Sequence, residues 1–203
     1  MTSPLPLIAI LRGVTPDEIA SHVRALLDAG ITQIEIPTNS PDWSLSVERA
    51  LETAGSAAQI GAGTVLTHAD VDRLVATGAT LMVTPNTDPA LIRHARERGL
   101  EIAAGFATAS EAFAAIQAGA QRLKLFPAAQ FGPDYVRALK AVLPASVPVY
   151  AVGGVTTENL AAFLQAGCAG AGLGGDLYRP GQDAATTARH AAAFVAALRR
   201  ATP

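Results

Sequence analysis

Residues 108–127, TASEAFAAIQAGAQRLKLFP, contain one complete unit of this chain's architecture. Thr108, followed by Ala109, Ser110 and Glu111, has the residue types of a helix N-cap, because a threonine oxygen can accept from the N–H groups that a first turn leaves unpaired. Phe113, Ile116 and Gln117 follow at helical spacing. Ala118-Gly119 then closes the helix, since glycine enters the left-handed C-terminal cap without a Cβ penalty. In Arg122-Leu123-Lys124-Leu125-Phe126 the period switches from 3.6 to 2, which is the pattern of a strand, and Pro127 ends it.

The unit recurs. Short apolar runs occupy Leu7 to Leu11, Gln33 to Pro37, Gln59 to Val65, Leu81 to Pro85, Glu101 to Phe106, Arg122 to Phe126, Val147 to Gly154 and Gly170 to Gly175. Between them lie segments with helical spacing, such as Ile19, Val23, Leu26 and Leu27. Thr15-Pro16-Asp17-Glu18 and Thr156-Thr157-Glu158-Asn159 repeat the N-cap grammar, with Pro16 at the first helical position. Glycines 30, 78, 99 and 167 repeat the closing signal. Eight alternations of strand and helix predict a single-domain (β/α)8 barrel over residues 1–203, with parallel strands inside a layer of helices. A doubly wound open sheet alternates in the same way, but no G-x-G-x-x-G opens the first helix.

Half of the 203 residues are apolar and only 5% aromatic, which suits many small helix-on-strand contacts. The formal charge of −2 is dispersed, so no basic field for nucleic acid is present. The apolar start, Pro4 to Leu11, lacks a basic leader and meets Arg12 too soon for a membrane span; it reads as the first buried strand. Cys168 is the only cysteine and lies between small residues, as expected of a small buried side chain in a reducing cytoplasm. His22, His68, His94 and His190 fall in or beside helices and read as surface histidines, so no metal site is expected.

In a barrel of this kind function gathers where strands end. The polar residues there are Arg12 after the first strand, Glu35 and Asn39 at the second, Thr64 at the third, Thr84 and Asn86 at the fourth, and Lys124 on the sixth. In Gln33-Ile34-Glu35-Ile36-Pro37 the two isoleucines share a face that suits the outer helices, which turns Glu35 inward; the same alternation turns Arg122, Lys124 and Phe126 inward. A structural salt bridge across the barrel would account for interior charges. A lysine whose pKa is lowered by burial would instead be a nucleophilic amine, able to form an imine with a ketone, and a buried glutamate of raised pKa would be a matching acid/base. Gly153-Gly154 and Gly174-Gly175, each expected just ahead of a short helix, could hold a phosphate on backbone N–H groups.

Seen together, LIAILRGVTPDE, IEIPTNSP, IGAGTVL, VTPN, LKLFPAAQFGPDYVRALKAVLP, AVGGVTTENL and GCAGAGLGGDLYRPGQ resemble the class I aldolases of 2-keto-3-deoxy-6-phospho sugar acids along essentially the whole chain. The resemblance implies Lys124 as the imine-forming lysine and Glu35 as the acid/base. It implies Arg12 and Thr64 on the pyruvoyl carboxylate, Pro85 and Phe126 as walls of the pyruvate pocket, and Gly153, Gly154 and Gly174 in phosphate-binding turns, where Gly175 replaces a frequent serine. Asn39 stands where gluconate-type relatives have arginine, and Val152 where they have threonine, a difference expected to favour the galactonate epimer. The implied partners are a phosphorylated 2-keto-3-deoxy sugar acid, pyruvate and glyceraldehyde 3-phosphate, with no cofactor and a homotrimeric assembly. The alternatives are a gluconate-type aldolase, a metal-dependent phosphosugar epimerase on the same barrel, and a non-catalytic phosphosugar-binding protein.

Overall fold

Every one of the eight apolar runs forms a strand: β1 (Leu7–Ile10), β2 (Gln33–Pro37), β3 (Gln59–Gly63), β4 (Leu81–Val83), β5 (Glu101–Phe106), β6 (Arg122–Leu125), β7 (Val149–Val152) and β8 (Gly170–Leu173). The structure, a computed structural model, describes residues 4–201, so the expected bounds 1 and 203 lie outside the described residues. All neighbouring strands are parallel, and β8 pairs with β1 through Leu7 and Ala171, Ile8 and Gly172, and Ala9 and Leu173, which closes the barrel. A helix follows each strand: α1 (Ile19–Asp28), α2 (Trp43–Ala54), α3 (His68–Ala76), α4 (Pro89–Glu97), α5 (Ala109–Ala118), α6 (Ala128–Lys140), α7 (Leu160–Gln165) and α8 (Ala184–Ala201). The fold is the (β/α)8 barrel, not the open sheet. Among the described residues no helix is long and apolar enough to cross a membrane.

Strand alternation divides the interior into two chemistries. Outward side chains such as Ile34, Ile36, Leu123 and Leu125 are fully buried in one large core between barrel and helices. Inward ones form small apolar clusters, Ile8 with Ile10, Tyr150 and Val152, and Leu81 with Val83 and Ala103, beside polar residues. At the N-terminal ends of the strands Arg122 Nε meets Glu101 Oε1 at 2.6 Å, and the guanidinium also donates to Gln33 and Gln59. This is a structural salt bridge of the kind interior charges can always form, made by Arg122 and not by Lys124.

Thr108 caps α5 as its residue types require: its Oγ1 accepts from Glu111 N at 3.3 Å while Glu111 Oε2 accepts from Thr108 N at 2.8 Å. Three expectations fail. Thr15 does not cap α1, because its hydroxyl donates to Glu18 Oε2 at 2.8 Å and a separate turn precedes Ile19. No short helix follows Gly174-Gly175; Leu177 N and Tyr178 N both donate to Gly174 O, and Pro180, with no N–H, prevents continuation. In α7 the delay is similar, Thr156 Oγ1 capping a turn through Asn159 N before helix begins at Leu160. His22 is also not a surface histidine. It lies three residues after Ile19 on the buried stripe of α1, with Nδ1 2.9 Å from Thr187 Oγ1 of α8 and its ring edge-on to Tyr178. Burial lowers its pKa and keeps it neutral. Cys168 is buried as expected, which pushes its thiol up to about 11.

Candidate active site

One layer above the Arg122 plug, β6 brings Lys124 and β2 brings Glu35 into the barrel, 4% and 1% exposed. Among the described residues Lys124 makes no hydrogen bond or ion pair; its ammonium nitrogen lies 5.2 Å from the Phe126 ring centroid. Glu35 Oε2 is likewise buried without a partner. The space for that carboxylate exists because the next strand supplies glycine: a Cβ at Gly63 would lie 1.9 Å from Glu35 Oε2. Burial dominates both titrations. It raises Glu35 from 4.5 to about 7, against the opposing pull of Lys124 and Arg12, and it lowers Lys124 despite the nearby carboxylate. Burial thus disfavours the charged form of both groups, and the amine that it helps to deprotonate can add to a carbonyl.

Arg12 is aimed by groups on the neighbouring strands. Its Nη1 donates to Asn39 Oδ1 at 2.6 Å and its Nη2 to Thr64 Oγ1 at 3.3 Å, so the guanidinium turns toward the ends of β2 and β3. Thr64 holds φ at 55°, a left-handed conformation that is costly for a β-branched residue. It is held there because Thr38 Oγ1 donates to Thr64 O at 2.6 Å and Thr38 N to Gly63 O at 2.8 Å. By contrast Thr84 turns its hydroxyl to Asn86 O and accepts from Gly105 N, bracing the end of β4.

Above this floor opens a cavity of about 460 Å³, and Arg12, Pro85, Lys124, Phe126, Val152, Gly153, Gly154, Gly174 and Gly175 all line it. Glu35 and Thr64 do not; Glu35 lies beneath, in the narrow apolar space that also touches Lys124, Ile10 and Val152, and Thr64 acts from behind Arg12. The two glycine pairs differ. Gly153 and Gly154 take φ of 92° and 72°, and a Cβ at Gly154 would sit 2.5 Å from that of Ala129. Nothing lies within 4 Å of a Cβ at Gly174 or Gly175, so these two leave room in the cavity rather than meeting a backbone demand. The N–H groups of Gly154, Val155, Gly175 and Asp176 have no acceptor among the described residues. Sequence reasoning missed Ile10, Val155, Asp176, Tyr178, Arg179 and Pro180, which complete the wall. Arg179 was the one with a readable signal: a cation four residues after a glycine pair at a strand end. Among the described residues no three His, Cys, Asp or Glu side chains gather in a metal-binding group.

Residues 2–185 match the family model described as "KDPG and KHG aldolase". The chain is 57% identical over 197 residues to 2-dehydro-3-deoxy-6-phosphogalactonate aldolase of Escherichia coli (strain K12), covering 97% of this chain and 96% of that protein. Its fold superposes with a TM-score of 0.96 on a structure described as "Native KDPGal structure", at 56% identity and 99% and 98% coverage. It superposes equally well, at 0.96 and 56% identity, on a chain of a protein cage designed by fusing symmetric oligomeric domains, covering 98% of this chain and 74% of that one.

Proposed function

The chain belongs to the KDPG and KHG aldolase family of class I aldolases, and from that premise we propose that it cleaves 2-dehydro-3-deoxy-6-phosphogalactonate reversibly to pyruvate and D-glyceraldehyde 3-phosphate. The observation that carries this reading is the buried amine of Lys124 at the floor of the cavity, lining the same narrow space as the Glu35 carboxyl, which is poised near neutrality. Lys124 Nζ adds to the C2 ketone, and loss of water leaves an iminium conjugated toward C3. Glu35, through an intervening water, takes the proton of the C4 hydroxyl as the C3–C4 bond breaks, and its electron pair flows into the iminium to give an enamine. Glyceraldehyde 3-phosphate leaves. The proton on Glu35 is returned to C3, and hydrolysis of the new iminium releases pyruvate and restores the amine.

Arg12, set by Asn39 and Thr64, faces the pyruvoyl carboxylate, and Pro85 and Phe126 wall the planar three-carbon unit. The glycine turns after β7 and β8 take the phosphate. A homotrimer in the cytoplasm accompanies this reading; a matching chain in a cage built from symmetric oligomeric domains supports an oligomer, and the lone buried cysteine suits a reducing compartment.

Val152 carries the choice of epimer. It lines the cavity but packs with Ile8, Ile10 and Tyr150, and its Cγ2 would stand 2.8 Å from a Cβ on Gly172. A substrate hydroxyl directed at this apolar surface gives up its hydrogen bond to water and gains none, a loss of about 1 to 3 kcal/mol or ~5- to 150-fold in rate. Cleavage of the two pure C4 epimers, read by coupled pyruvate detection, should favour the galactonate compound, with Val152→Thr eroding the preference. A wild-type preference for the gluconate compound would transfer the protein to the gluconate-type activity with the imine chemistry unchanged.

Gly63→Ala should also act through Glu35. The added methyl must push the carboxylate aside, so exchange at C3 of pyruvate falls roughly 10-fold or more while imine trapping at Lys124 persists. Equal loss of both would mean that the barrel itself was disturbed.

A further inference from the structure

Three cations reach the cavity wall, Arg12, Lys124 and Arg179, and the first two are committed elsewhere. Lys124 is at the floor. Arg12 leaves β1, the neighbour of β8, but its hydrogen bonds to Asn39 and Thr64 draw the guanidinium toward β2 and β3. Arg179 stands on the opposite flank of the β1 loop, on the segment after β8. Its Nε donates to Gly175 O at 2.8 Å, and its two Nη groups have no acceptor among the described residues.

That segment is a braced strap. Gln182 Nε2 donates to Leu177 O at 2.9 Å, and His190 Nδ1 lies 3.1 Å from the same oxygen. Pro180 packs so closely on the β1 loop that a Cβ at Gly13 would be 2.7 Å from its Cγ. The strap also brings Asp176 into the wall, and a phosphate dianion placed beside that carboxylate is repelled unless a cation offsets it. Gly175, where a hydroxyl would otherwise assist, contributes only its backbone.

Resting on the aldolase reading above, we propose that Arg179 is the cation that binds the substrate's phosphate, closing a two-sided clamp with the N–H groups of the Gly153-Gly154 and Gly174-Gly175 turns and setting the preference for phosphorylated over unphosphorylated sugar acids. Nε stays on Gly175 O, which fixes the guanidinium plane, and the Nη groups donate to phosphate oxygens. The clasp to Gly175 means that the same side chain that holds the ligand also holds the turn.

Two substitutions separate charge from clasp. Arg179→Gln keeps an N–H that can reach Gly175 O and removes the charge; Arg179→Lys keeps the charge and alters the clasp. With the phosphorylated acid, the Gln variant is expected to raise KM ~10- to 100-fold with kcat within a few-fold, and the Lys variant to recover most of the loss. The ratio of kcat/KM for the phosphorylated acid to that for the unphosphorylated acid should fall by the same factor in Gln, and its dependence on salt should flatten. An unchanged ratio, or equal impairment by Gln and Lys, would overturn the proposal. Calorimetric binding of glycerol 3-phosphate needs no turnover: weakened binding in Gln sustains the clamp even if the wild-type protein proved not to cleave the sugar acid, whereas unaltered binding overturns it.

Discussion

Lys124→Met is expected to abolish both cleavage and the borohydride-trapped adduct with pyruvate while the barrel melts as a folded protein. Removal of a covalent nucleophile costs on the order of 10⁴-fold or more in turnover, since no neighbouring group can replace the bond it forms. The fold should tolerate the change, because among the described residues Lys124 gives up no hydrogen bond or ion pair, and methionine of similar length suits a site beside Phe126 and Val152. One partner does respond. The Lys124 ammonium lowers the pKa of Glu35, so its loss drives Glu35 further toward the protonated form. The test is unusually clean, as the chain has two lysines only, Lys124 and Lys140 on the outer face of the barrel in α6. Peptide mapping of the trapped wild-type protein should place the adduct on Lys124, and an adduct on Lys140, or one persisting in Lys124→Met, would remove the mechanism.

The barrel was legible because its signals are local. Caps, closing glycines and the change of period at Gly119 each involve a few adjacent residues, and the closing glycines all adopt the positive φ they imply, 106° at Gly119 among them. Inward orientation of Glu35 and Lys124 was legible for the same reason, as alternation needs only the strand itself. Which interior charges pair was not. Arg122 and Lys124 share a face two residues apart, yet Arg122 pairs with Glu101 while Lys124 forms no ion pair among the described residues, and that depends on register. Ala103 opposes Arg122 while Gly105 opposes Lys124, and Glu101 comes level with Leu81 of β4. Register between strands is set by the closed barrel as a whole, which no single stretch encodes. The same limit hid the Arg12, Asn39 and Thr64 group, assembled from three strand ends, and the strain at Thr64, which exists only because Thr38 holds it. The surface expectation for His22 fails for a different reason: a place on an outer helix does not say which face of that helix the residue occupies, and three residues after Ile19 is the buried one. The Thr187 hydroxyl on a helix 165 residues away in sequence is what satisfies it.

Glu35→Gln should leave imine formation in place and cut proton exchange at C3 of pyruvate by ~10²- to 10⁴-fold, the usual contribution of a general acid/base. The pH dependence identifies the group. Glu35 must be ionised to take the C4 hydroxyl proton, and burial has moved it up to about 7, so wild-type cleavage should decline as pH falls through that value. The limb should vanish in the residual activity of the Gln variant. Stability should move the opposite way. A carboxyl raised from 4.5 to about 7 on folding holds a proton that the unfolded chain has released, so its contribution is full below about 4.5 and is lost as pH rises through 7. Glutamine never ionises and has no such loss. Relative to wild type, Glu35→Gln should therefore gain in melting temperature between pH 5 and pH 8 while losing exchange throughout. Deuterium wash-in to pyruvate by NMR and thermal melts at both pH values read the two effects on one pair of proteins. Exchange at the wild-type rate would make Glu35 structural, whereas lost exchange with no relative gain in stability would mean that its proton is held by something other than burial over Gly63.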